Sequence, residues 1–521
     1  MMNHGVILGC MQAPPDIFFQ SPDWLNIKRA AGAHKIAHFM RNQGWDIEVL
    51  DYWLAFDFEE FKEFIDSRVT NKTLFIGISG TFQLHGTVLE RANKYIRWVK
   101  EKYPDIYVIA GSKQVYVTRD LEAHYHLTGY GEYGLDQLLR KLLGKESHVV
   151  IEDVGGLKAV NCDLHHPCYP QKDLAVRYED RDFIQPQESL TLEFSRGCKF
   201  ACKFCSYNVI GVKGDYTRDM PSLYRELMDN YDRFGTTSYA IADETVNDSV
   251  EKLKRIATEV KKLPFKPDMT GYIRGDLIAA RPDDRVYLEE MGLWSHYYGI
   301  ESLNHKAAKS IGKGMHPDKL KQGLLDVRDY FKQSDTGRYR NTFSLIAGLP
   351  HETEETFLEG VRWNAEHFKE DALVIFPLYL NNDPDAMVKN ATSEFDRTWR
   401  ESGDFHSQQG TDESFGASPD KLPEQSRNYF WNNYKMSQTA VKWSHDGFNW
   451  WTANKIVAET MLTDNVVGRG ILNWNLYNFV DSGTYTIDEA LALSNIGYDK
   501  ERLTEDTKTH MENYKWKKLS L

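Results

Sequence analysis

One stretch of eleven residues decides how this chain is to be interpreted: Ser195-Arg196-Gly197-Cys198-Lys199-Phe200-Ala201-Cys202-Lys203-Phe204-Cys205. It directly follows residues 190–194, which are predicted to form a β-strand. Three of the six cysteines of the chain fall within eight of these residues, with the spacing C-x3-C-x2-C. Thiolates this close together can hold one small inorganic cluster. Because three cysteines ligate only three irons of a four-iron cluster, one iron stays open to a further ligand, as in catalytic metal sites.

Two simpler interpretations of the cysteines are weaker. A structural zinc site takes four protein ligands, and this run supplies three, so His165 or His166 would have to fold back to complete it. Three unrelated core thiols are disfavoured by the regular spacing and by Phe204 directly before the last cysteine. Six cysteines in 521 residues also do not suggest a disulfide scaffold. We therefore expect a reducing, cytoplasmic environment.

The length and composition of the chain bound its class. A chain of 521 residues predicts two or three domains, and 41% hydrophobic with 27% charged residues is ordinary for a soluble globular protein. The net charge of −13 disfavours binding to extended nucleic acid. No apolar run reaches the roughly 18–20 residues that span a bilayer, and the N-terminus lacks the basic region of a signal peptide. We expect no contact with a membrane.

Strand and helix patterns alternate through residues 1–145. This alternation predicts an α/β domain with a Rossmann-like parallel sheet and helices on both faces. Ligands of such sheets bind beyond the carboxyl ends of the strands, where this sequence carries turns of small residues. The predicted strands are residues 6–8, 46–50, 74–79 and 107–111, and the predicted helices are residues 28–42, 58–67 and 88–103.

A second alternation occupies residues 189–380, after a predicted connector at residues 146–188. Six predicted strands separated by helical stretches indicate a partial (β/α)6 barrel, whose active site is expected at the carboxyl ends of the strands. The predicted strands are residues 190–194, 238–242, 269–273, 296–300, 342–346 and 373–376.

The last part of the chain, residues 381–521, is predicted to begin with a polar lid loop at residues 381–421 and to continue as a mostly helical domain. We expect this domain to cover the barrel mouth and to help define the substrate. It is rich in tryptophan: Trp431, Trp443, Trp450, Trp451 and Trp474.

The cysteine motif resembles the signature of radical S-adenosylmethionine (SAM) enzymes, C-x3-C-x-Φ-C with Φ aromatic, here Phe204. Three later segments are similar to landmarks of the same family and follow in the same order. They are Ala242-Asp243-Glu244-Thr245, Gly299-Ile300-Glu301-Ser302 and Gly348-Leu349-Pro350-His351-Glu352-Thr353. The ordered matches extend over most of residues 190–380.

The resemblance implies a role for each segment. Cys198, Cys202 and Cys205 would hold a [4Fe–4S] cluster whose open iron binds the amino and carboxylate groups of SAM. The residues implied to contact SAM are Phe204 beside the cluster, Asp243 and Glu244 at the methionine amino group, Glu301 and Ser302 near the ribose, and Gly348 and Pro350 near the adenine. Arg274, after the third strand of the barrel, is a candidate for the SAM carboxylate, for the substrate or for a structural ion pair.

The chemistry implied by the resemblance needs a reduced cluster. One electron would cleave SAM to methionine and a 5′-deoxyadenosyl radical, and that radical would take a hydrogen atom from the substrate. An electron donor such as flavodoxin or ferredoxin is therefore an expected partner. The cofactors carry the difficult step, and the protein orients them and excludes water.

The Rossmann-like domain before such a barrel resembles the cobalamin-binding group of radical SAM enzymes. Arg29-Ala30-Ala31-Gly32-Ala33-His34 is similar to a helix of those domains, and residues 163–174 are similar to the strap that joins them to the barrel. The resemblance implies that cobalamin contacts turns of small residues, which comprise Ser79, Gly80, Thr81 and Phe82, then Gly111 and Ser112, then Gly129, Gly131 and Glu132. The chain lacks the D-x-H-x-x-G sequence that marks a lower cobalt ligand. The implied reaction is methylation of an unactivated carbon or phosphorus.

Other functions are compatible with these motifs. A cobalamin-free radical SAM enzyme would catalyse a rearrangement, cyclisation or dehydrogenation. A methylthiotransferase would hold a second cluster, for which Cys10, Cys162 and Cys168 are the remaining cysteines, although two of them lie in the connector. A non-catalytic iron–sulfur sensor or electron carrier has no need of the SAM motifs. The substrate is open among peptides, nucleotides, lipids and natural products.

Overall fold

The computed structural model describes residues 3–9, 29–80, 86–112, 120–162, 175–186, 188–205, 217–334, 339–368, 371–380, 393–398, 403–407, 442–461 and 500–520. The strands are β1 (His4–Gly9), β2 (Asp46–Asp51), β3 (Thr73–Ser79), β4 (Tyr107–Ser112), β5 (Tyr125–Thr128), β6 (Glu152–Val154), β7 (Leu157–Asn161), β8 (Leu190–Leu192), β9 (Ser238–Ile241), β10 (Asp268–Ile273), β11 (Leu293–Glu301), β12 (Arg340–Ala347), β13 (Ala372–Pro377), β14 (His406–Ser407) and β15 (Trp443–Ser444). The helices are α1 (Ala31–Asn42), α2 (Phe58–Arg68), α3 (Gly86–Lys102), α4 (Gly131–Leu142), α5 (Met220–Phe234), α6 (Val250–Val260), α7 (Gly275–Ala280), α8 (Asp284–Glu290), α9 (His305–Ser310), α10 (Pro317–Ser334), α11 (Glu354–His367), α12 (Glu394–Thr398), α13 (Trp450–Met461) and α14 (Lys500–Leu519). None of these described helices has the length and apolar composition needed to cross a bilayer.

The first sheet forms the Rossmann-like domain. Its strand order is β2-β1-β3-β4-β5-β7-β6, and every neighbouring pair is parallel except β6 with β7. β1 is buried along its whole length, as expected for a strand covered by helices on both faces. One hydrophobic cluster packs around Trp53, Phe61 and Tyr95, and a second packs around Met40 and Leu138. The predicted parallel α/β architecture is confirmed.

β5, β6 and β7 are strands that the sequence pattern does not predict. They are four, three and five residues long and carry polar side chains such as His126, Asp153 and Lys158. β7 pairs with β5, and β6 pairs with β7, so the first sheet extends to Asn161, into the predicted connector. A short polar strand lacks the alternation of apolar side chains that would reveal it.

The second sheet contains β8 to β13 in chain order, and all neighbouring pairs are parallel. All six predicted barrel strands are confirmed. Strands and helices share one core, which includes Tyr239, Leu253 and Phe343. Local signals delimit the helices: α5 begins after Asp219, whose side chain accepts from the amide of Ser222, and ends at Gly235 with φ of 69°. This is the partial (β/α)6 barrel that the strand rhythm indicates.

The described part of residues 381–521 packs on both domains. α13 packs against β12 and β13, and Trp443, Trp450 and Trp451 join the core of the barrel. α14 packs instead on the first domain, where Tyr514 joins the core that contains Phe56. α14 thus lies away from its expected place over the barrel mouth. Trp431, Trp474 and most of the predicted lid loop lie outside the described residues.

Candidate active site

The three predicted cluster cysteines lie in the loop that follows β8. All three are free thiols, and Cys202 is buried while Cys198 and Cys205 are half-buried. The amide of Cys205 donates to the carbonyl of Cys202 (3.0 Å), so the chain turns tightly between these two thiols. Gly197 has a φ of 97°, a conformation that glycine adopts readily, and it redirects the chain directly before Cys198. Residues 195–205 are referred to below as the cysteine loop.

The donor set of the cysteine loop, three free thiols, is of the kind that holds an iron–sulfur cluster with one open iron. No three His, Cys, Asp or Glu side chains in the described segments converge on one ion position. A cluster instead takes its thiolates around its periphery, at separate irons. His165 and His166, the candidate zinc ligands, lie outside the described residues.

Asp243 anchors the cysteine loop to the end of β9. Its carboxylate accepts hydrogen bonds from the amide of Phe194 (2.7 Å) and the hydroxyl of Ser195 (2.5 Å), and Nζ of Lys252 lies 3.7 Å away. Burial raises the pKa of Asp243 to about 6, and the ammonium group of Lys252 opposes part of that shift. Because both carboxylate oxygens already have protein partners, the geometry favours a positioning role for Asp243.

Glu244 is the more accessible of the two predicted acidic residues and is half-buried. Its carboxylate accepts a hydrogen bond from the amide of Gly197 (3.3 Å). Its neighbour Thr245 places a hydroxyl oxygen 3.7 Å from Sγ of Cys198. Glu244 therefore reaches the cysteine loop, where the amino group of SAM is expected. Contact of Asp243 and Glu244 with SAM stays a prediction.

Arg274 contacts the cysteine loop directly. Its Nη1 donates to Sγ of Cys202 (3.4 Å), and its guanidinium carbon lies 3.9 Å from the ring centroid of Phe200. Asp276 orients the same guanidinium, with 2.5 Å between Nη2 and Oδ2. The structure thus gives Arg274 a contact with a cluster ligand, and its contact with the SAM carboxylate stays a prediction.

The predicted ribose and adenine segments meet at the ends of β11 and β12. Glu301 ends β11 with a left-handed φ of 67°. Its carboxylate accepts from the hydroxyl of Ser344 (3.0 Å) and pairs with Nζ of Lys313 (3.1 Å). The hydroxyl of Ser302 donates to the carboxyl group of Glu352 (2.5 Å). Segments that lie 50 positions apart in the sequence are therefore joined by one hydrogen bond.

Glu352 has no charged partner among the described residues. Only 1% of the residue is exposed, and burial raises the pKa of its side chain to about 8. The group is therefore protonated at neutral pH. In this form it ties the turn after β12 to the end of β11 through Ser302.

Gly348 lets the aromatic side chain of Trp443 pack over the segment that is predicted to contact the adenine. It has a φ of 98°, and a Cβ atom there would lie 2.2 Å from Cη2 of Trp443. The indole N–H of Trp443 donates to the carbonyl of Leu378 (3.0 Å), and its ring stacks on His445 with centroids 5.7 Å apart. The C-terminal region thus closes over the end of β12. Contact of Phe204, Glu301, Ser302, Gly348 and Pro350 with SAM stays a prediction.

The turns predicted to contact cobalamin lie together at the carboxyl ends of the strands of the first sheet. Ser79 at the end of β3 pairs with Gly111 of β4, and the amide of Gly80 donates to the carbonyl of Gly111 (2.7 Å). The amide of Gly129 donates to the carbonyl of Ser112 (3.1 Å). The other predicted contacts are Gly131 and Glu132 in the first turn of α4, and Thr81 and Phe82, which lie outside the described residues. All of these contacts with cobalamin stay predictions.

Three buried cationic side chains near the site are not predicted from the sequence. They are Lys252, Lys313 and Arg196, with exposed fractions of 0%, 8% and 3%. A charged residue in a loop or helix is usually solvated, so composition and periodicity give no sign of these roles. The only available signal is position, because Arg196 and Lys313 lie within or close to segments that carry the motifs.

Comparison with known proteins identifies the barrel. Residues 192–363 match the sequence model of the radical SAM superfamily. These residues form a radical SAM domain. The match starts at the end of β8 and extends into α11, so it includes the cysteine loop and every segment predicted to contact SAM.

The chain resembles solved radical SAM proteins over nearly its whole length. The radical SAM methyltransferase TsrM from Kitasatospora setae, with tryptophan substrate and the SAM analogue aza-SAM bound, has a TM-score of 0.62 and 11% identity over 98% of this chain and 100% of that chain. The cobalamin-dependent SAM radical enzyme OxsB with aqua-cobalamin bound has a TM-score of 0.56 and 14% identity over 99% of this chain and 72% of that chain. At these identities the likeness shows the fold, a Rossmann-like parallel sheet followed by a partial (β/α)6 barrel.

A curated sequence relative is also similar to part of the chain. The hopanoid C-3 methylase of Methylococcus capsulatus is 21% identical over 300 residues. The alignment covers 54% of this chain and 55% of the methylase. The chain therefore spans about half the length of this relative.

Proposed function

We propose that the radical SAM domain and the Rossmann-like domain together form a cobalamin-dependent enzyme that methylates an unactivated carbon or phosphorus of its substrate. One observation carries the proposal: the cysteine loop meets the carboxyl edge of the first sheet, through the buried contact of Arg196 with Glu132. The two sites predicted for the two cofactors therefore share an interface. Similarity in fold to TsrM and OxsB, and in sequence to a hopanoid methylase, supports the proposal.

The cysteine loop would bind the cluster through Cys198, Cys202 and Cys205. When bound, the cluster supplies the electron that cleaves SAM to methionine and a 5′-deoxyadenosyl radical. Arg274 donates a hydrogen bond to Sγ of Cys202 and would orient this ligand. Asp243 holds the start of the loop in place through Ser195. A small redox partner of the cytoplasm, such as flavodoxin or ferredoxin, would deliver the electron.

The remaining site residues would bind and enclose SAM. Glu244, which follows β9 and accepts from the amide of Gly197 in the cysteine loop, would accept from the amino group of SAM. Glu301 is held by Lys313 and Ser344 and would orient the ribose. Trp443 packs on Gly348 in the segment predicted to contact the adenine and would help to exclude water from the bound cofactor.

The edge of the first sheet would bind cobalamin, which supplies a transferable methyl group when bound. The turns at this edge of the sheet contain glycine and serine, which let the backbone approach a large planar ligand closely. The residues concerned are Ser79, Gly80, Gly111, Ser112, Gly129 and Gly131.

The cluster is tested by comparing Cys202→Ala with Cys162→Ala after anaerobic reconstitution. Cys162 is a buried thiol of the first domain, packed near Gly134, and serves as the matched control. We expect the native chain and Cys162→Ala to bind iron and sulfide and to release 5′-deoxyadenosine from SAM. Cys202→Ala should lose both properties. Retention of both in Cys202→Ala would contradict the assignment of the cluster.

Cobalamin is tested on protein isolated from cells supplied with B12. We expect the visible spectrum of one bound corrin per chain. Absence of a corrin after careful loading would contradict the cobalamin-dependent reaction and favour a cobalamin-free rearrangement, cyclisation or dehydrogenation. Formation of S-adenosylhomocysteine together with 5′-deoxyadenosine would indicate methyl transfer.

A further inference from the structure

A chain of buried charges connects the first domain to the start of the cysteine loop. The guanidinium of Arg196 binds the carboxylate of Glu132, and its Nε lies 3.1 Å from Oε1 of Glu193. Glu193 also binds Nζ of Lys35, from α1. The guanidinium carbon of Arg196 lies 4.3 Å from the ring centroid of Tyr130. Arg196 and Glu132 are each only 3% exposed in their side chains.

The two ends of this chain lie beside the two predicted cofactor sites. Arg196 is two residues before Cys198 and is separated from it only by Gly197. Glu132 lies in the first turn of α4, directly after the turn formed by residues 129–131. A buried charge pair holds its geometry tightly because separating the charges leaves each without compensation. A shift of the first turn of α4 therefore displaces the backbone next to the first cluster ligand.

We propose that Arg196 is a positioning residue that couples the turn at residues 129–132 to the cysteine loop, so that occupancy of one site changes the order of the other. The identity of the ligand at the turn, a corrinoid, rests on the proposed function. Coupling of this kind is reciprocal in binding free energy, so cluster assembly should also change corrinoid affinity.

The test measures the rate at which iodoacetamide alkylates each cysteine of the loop in the cluster-free chain, by peptide mass spectrometry. The variant is Glu132→Gln, which keeps the shape of the side chain and removes its charge. The matched control is Asp136→Asn, because Asp136 lies one turn further along α4, is buried, and binds Arg140 and Trp45 of the first domain. A general loosening of α4 would affect both variants alike.

We expect Glu132→Gln to speed alkylation of Cys198 by about tenfold, the change that corresponds to one lost charge-assisted hydrogen bond. In Asp136→Asn, iodoacetamide should alkylate Cys198 at the same rate as in the native chain. Equal rates in all three proteins, or equal acceleration in both variants, would overturn the proposal. Lys35→Gln provides a second route if Glu132→Gln does not fold, with a smaller acceleration expected at Cys198.

The coupling is measured by repeating the alkylation with hydroxocobalamin at saturation, which is confirmed by its visible spectrum. It should slow alkylation of Cys198 in the native chain and leave the rate in Lys35→Gln less affected. A native chain that binds no hydroxocobalamin would contradict the proposed function, while acceleration by Glu132→Gln alone would still support the positioning role. Binding of hydroxocobalamin without any effect on Cys198 would overturn the coupling and leave the proposed function intact.

Discussion

Gly348 leaves no room for a side chain. Its φ of 98° is left-handed, which costs other residues roughly 1–2 kcal/mol, and a Cβ atom would lie 2.2 Å from the ring of the buried Trp443. Overpacking a tight core adds about 1–3 kcal/mol. We therefore expect Gly348→Ala to lower the free energy of unfolding by about 2–5 kcal/mol, measured by urea denaturation.

Gly314→Ala is the control for this substitution. Among the described residues, no heavy atom beyond Gly314 and its two chain neighbours lies within 4 Å of the position that its Cβ would occupy, so we expect a change within about 0.5 kcal/mol. If Gly348→Ala proved as stable as Gly314→Ala, the aromatic cover over the adenine segment would not be closely packed.

Glu352 should give the protein an uncommon pH dependence of stability. Burial raises the pKa of its carboxyl group to about 8, from an ordinary value of 4.5. Between these pH values the folded chain holds a proton that the unfolded chain has lost, so the free energy of unfolding falls as pH rises. The slope for one proton is at most ~1.4 kcal/mol per pH unit, and it vanishes above the folded pKa.

Glu352→Gln isolates this contribution, because the amide keeps a partner for Ser302 and does not ionise. We expect urea denaturation to show a smaller loss of stability in the variant than in the native chain between about pH 6.5 and 8. Asp243, whose pKa is about 6, contributes a slope of the same sign at lower pH in both proteins. A difference between the two proteins that does not change with pH would show that Glu352 is already ionised when folded.

The end of β11 depends on a lysine from another element. Lys313, in the loop after α9, donates to the carbonyl of Gly299 (2.5 Å) and to Oε1 of Glu301 (3.1 Å). Both charged side chains are buried. Removing one partner of a buried pair costs about 3–5 kcal/mol, because the other charge stays uncompensated. We expect Lys313→Met to lower the free energy of unfolding by this amount, measured by urea denaturation.

The double variant Lys313→Met with Glu301→Gln separates the charge effect from packing. It should regain most of the lost stability, because no uncompensated carboxylate is then buried. A double variant no more stable than Lys313→Met would mean that the packing of the lysine stem, and not the charge pair, holds the end of β11.

The sequence predicts those strands and motifs whose signal lies within one short, continuous stretch of residues. The barrel strands are apolar runs between helical stretches, and the SAM segments are short motifs that follow those strands, so both are visible locally. β5 to β7 are short, mix polar with apolar residues, and are stabilised by pairing within the first sheet. Lys252 reaches Ser195 across 57 positions. Such a partnership depends on the tertiary fold and leaves no local trace.

At the scale of the whole molecule, Arg29 joins three distant parts of the chain. Its guanidinium contacts both carboxylate oxygens of Glu188 (2.7 and 2.9 Å) and Oδ2 of Asp51 (3.1 Å), and it lies 5.0 Å from the ring centroid of Tyr514. The connector, the end of β2 and α14 thus converge on one side chain. Although burial opposes the shift, His34 and Arg29 hold the pKa of Asp51 well below its usual range. The charges of this junction therefore stay paired at neutral pH.

α14 completes the first domain from the far end of the chain. Lys518 is fully buried and donates to Oε1 of Glu48 (3.1 Å) and to the carbonyl of Val49 (2.8 Å). The hydroxyl of Tyr514 accepts from the amide of Asp51 (2.9 Å). These contacts satisfy polar groups along β2, so the first domain includes residues separated from β2 by more than 400 positions.

We expect a chain that ends at residue 499 to show an additional low-temperature transition in differential scanning calorimetry, because Glu48 and Asp51 then lose buried partners. The barrel core and the cysteine loop are untouched, so the reconstituted truncated chain should keep its iron and lose affinity for hydroxocobalamin. Trp516→Ser is the control, since that side chain is 69% exposed and should change neither property. Loss of iron together with loss of hydroxocobalamin would mean that α14 stabilises the whole molecule through the Arg29 junction, and not the first domain alone.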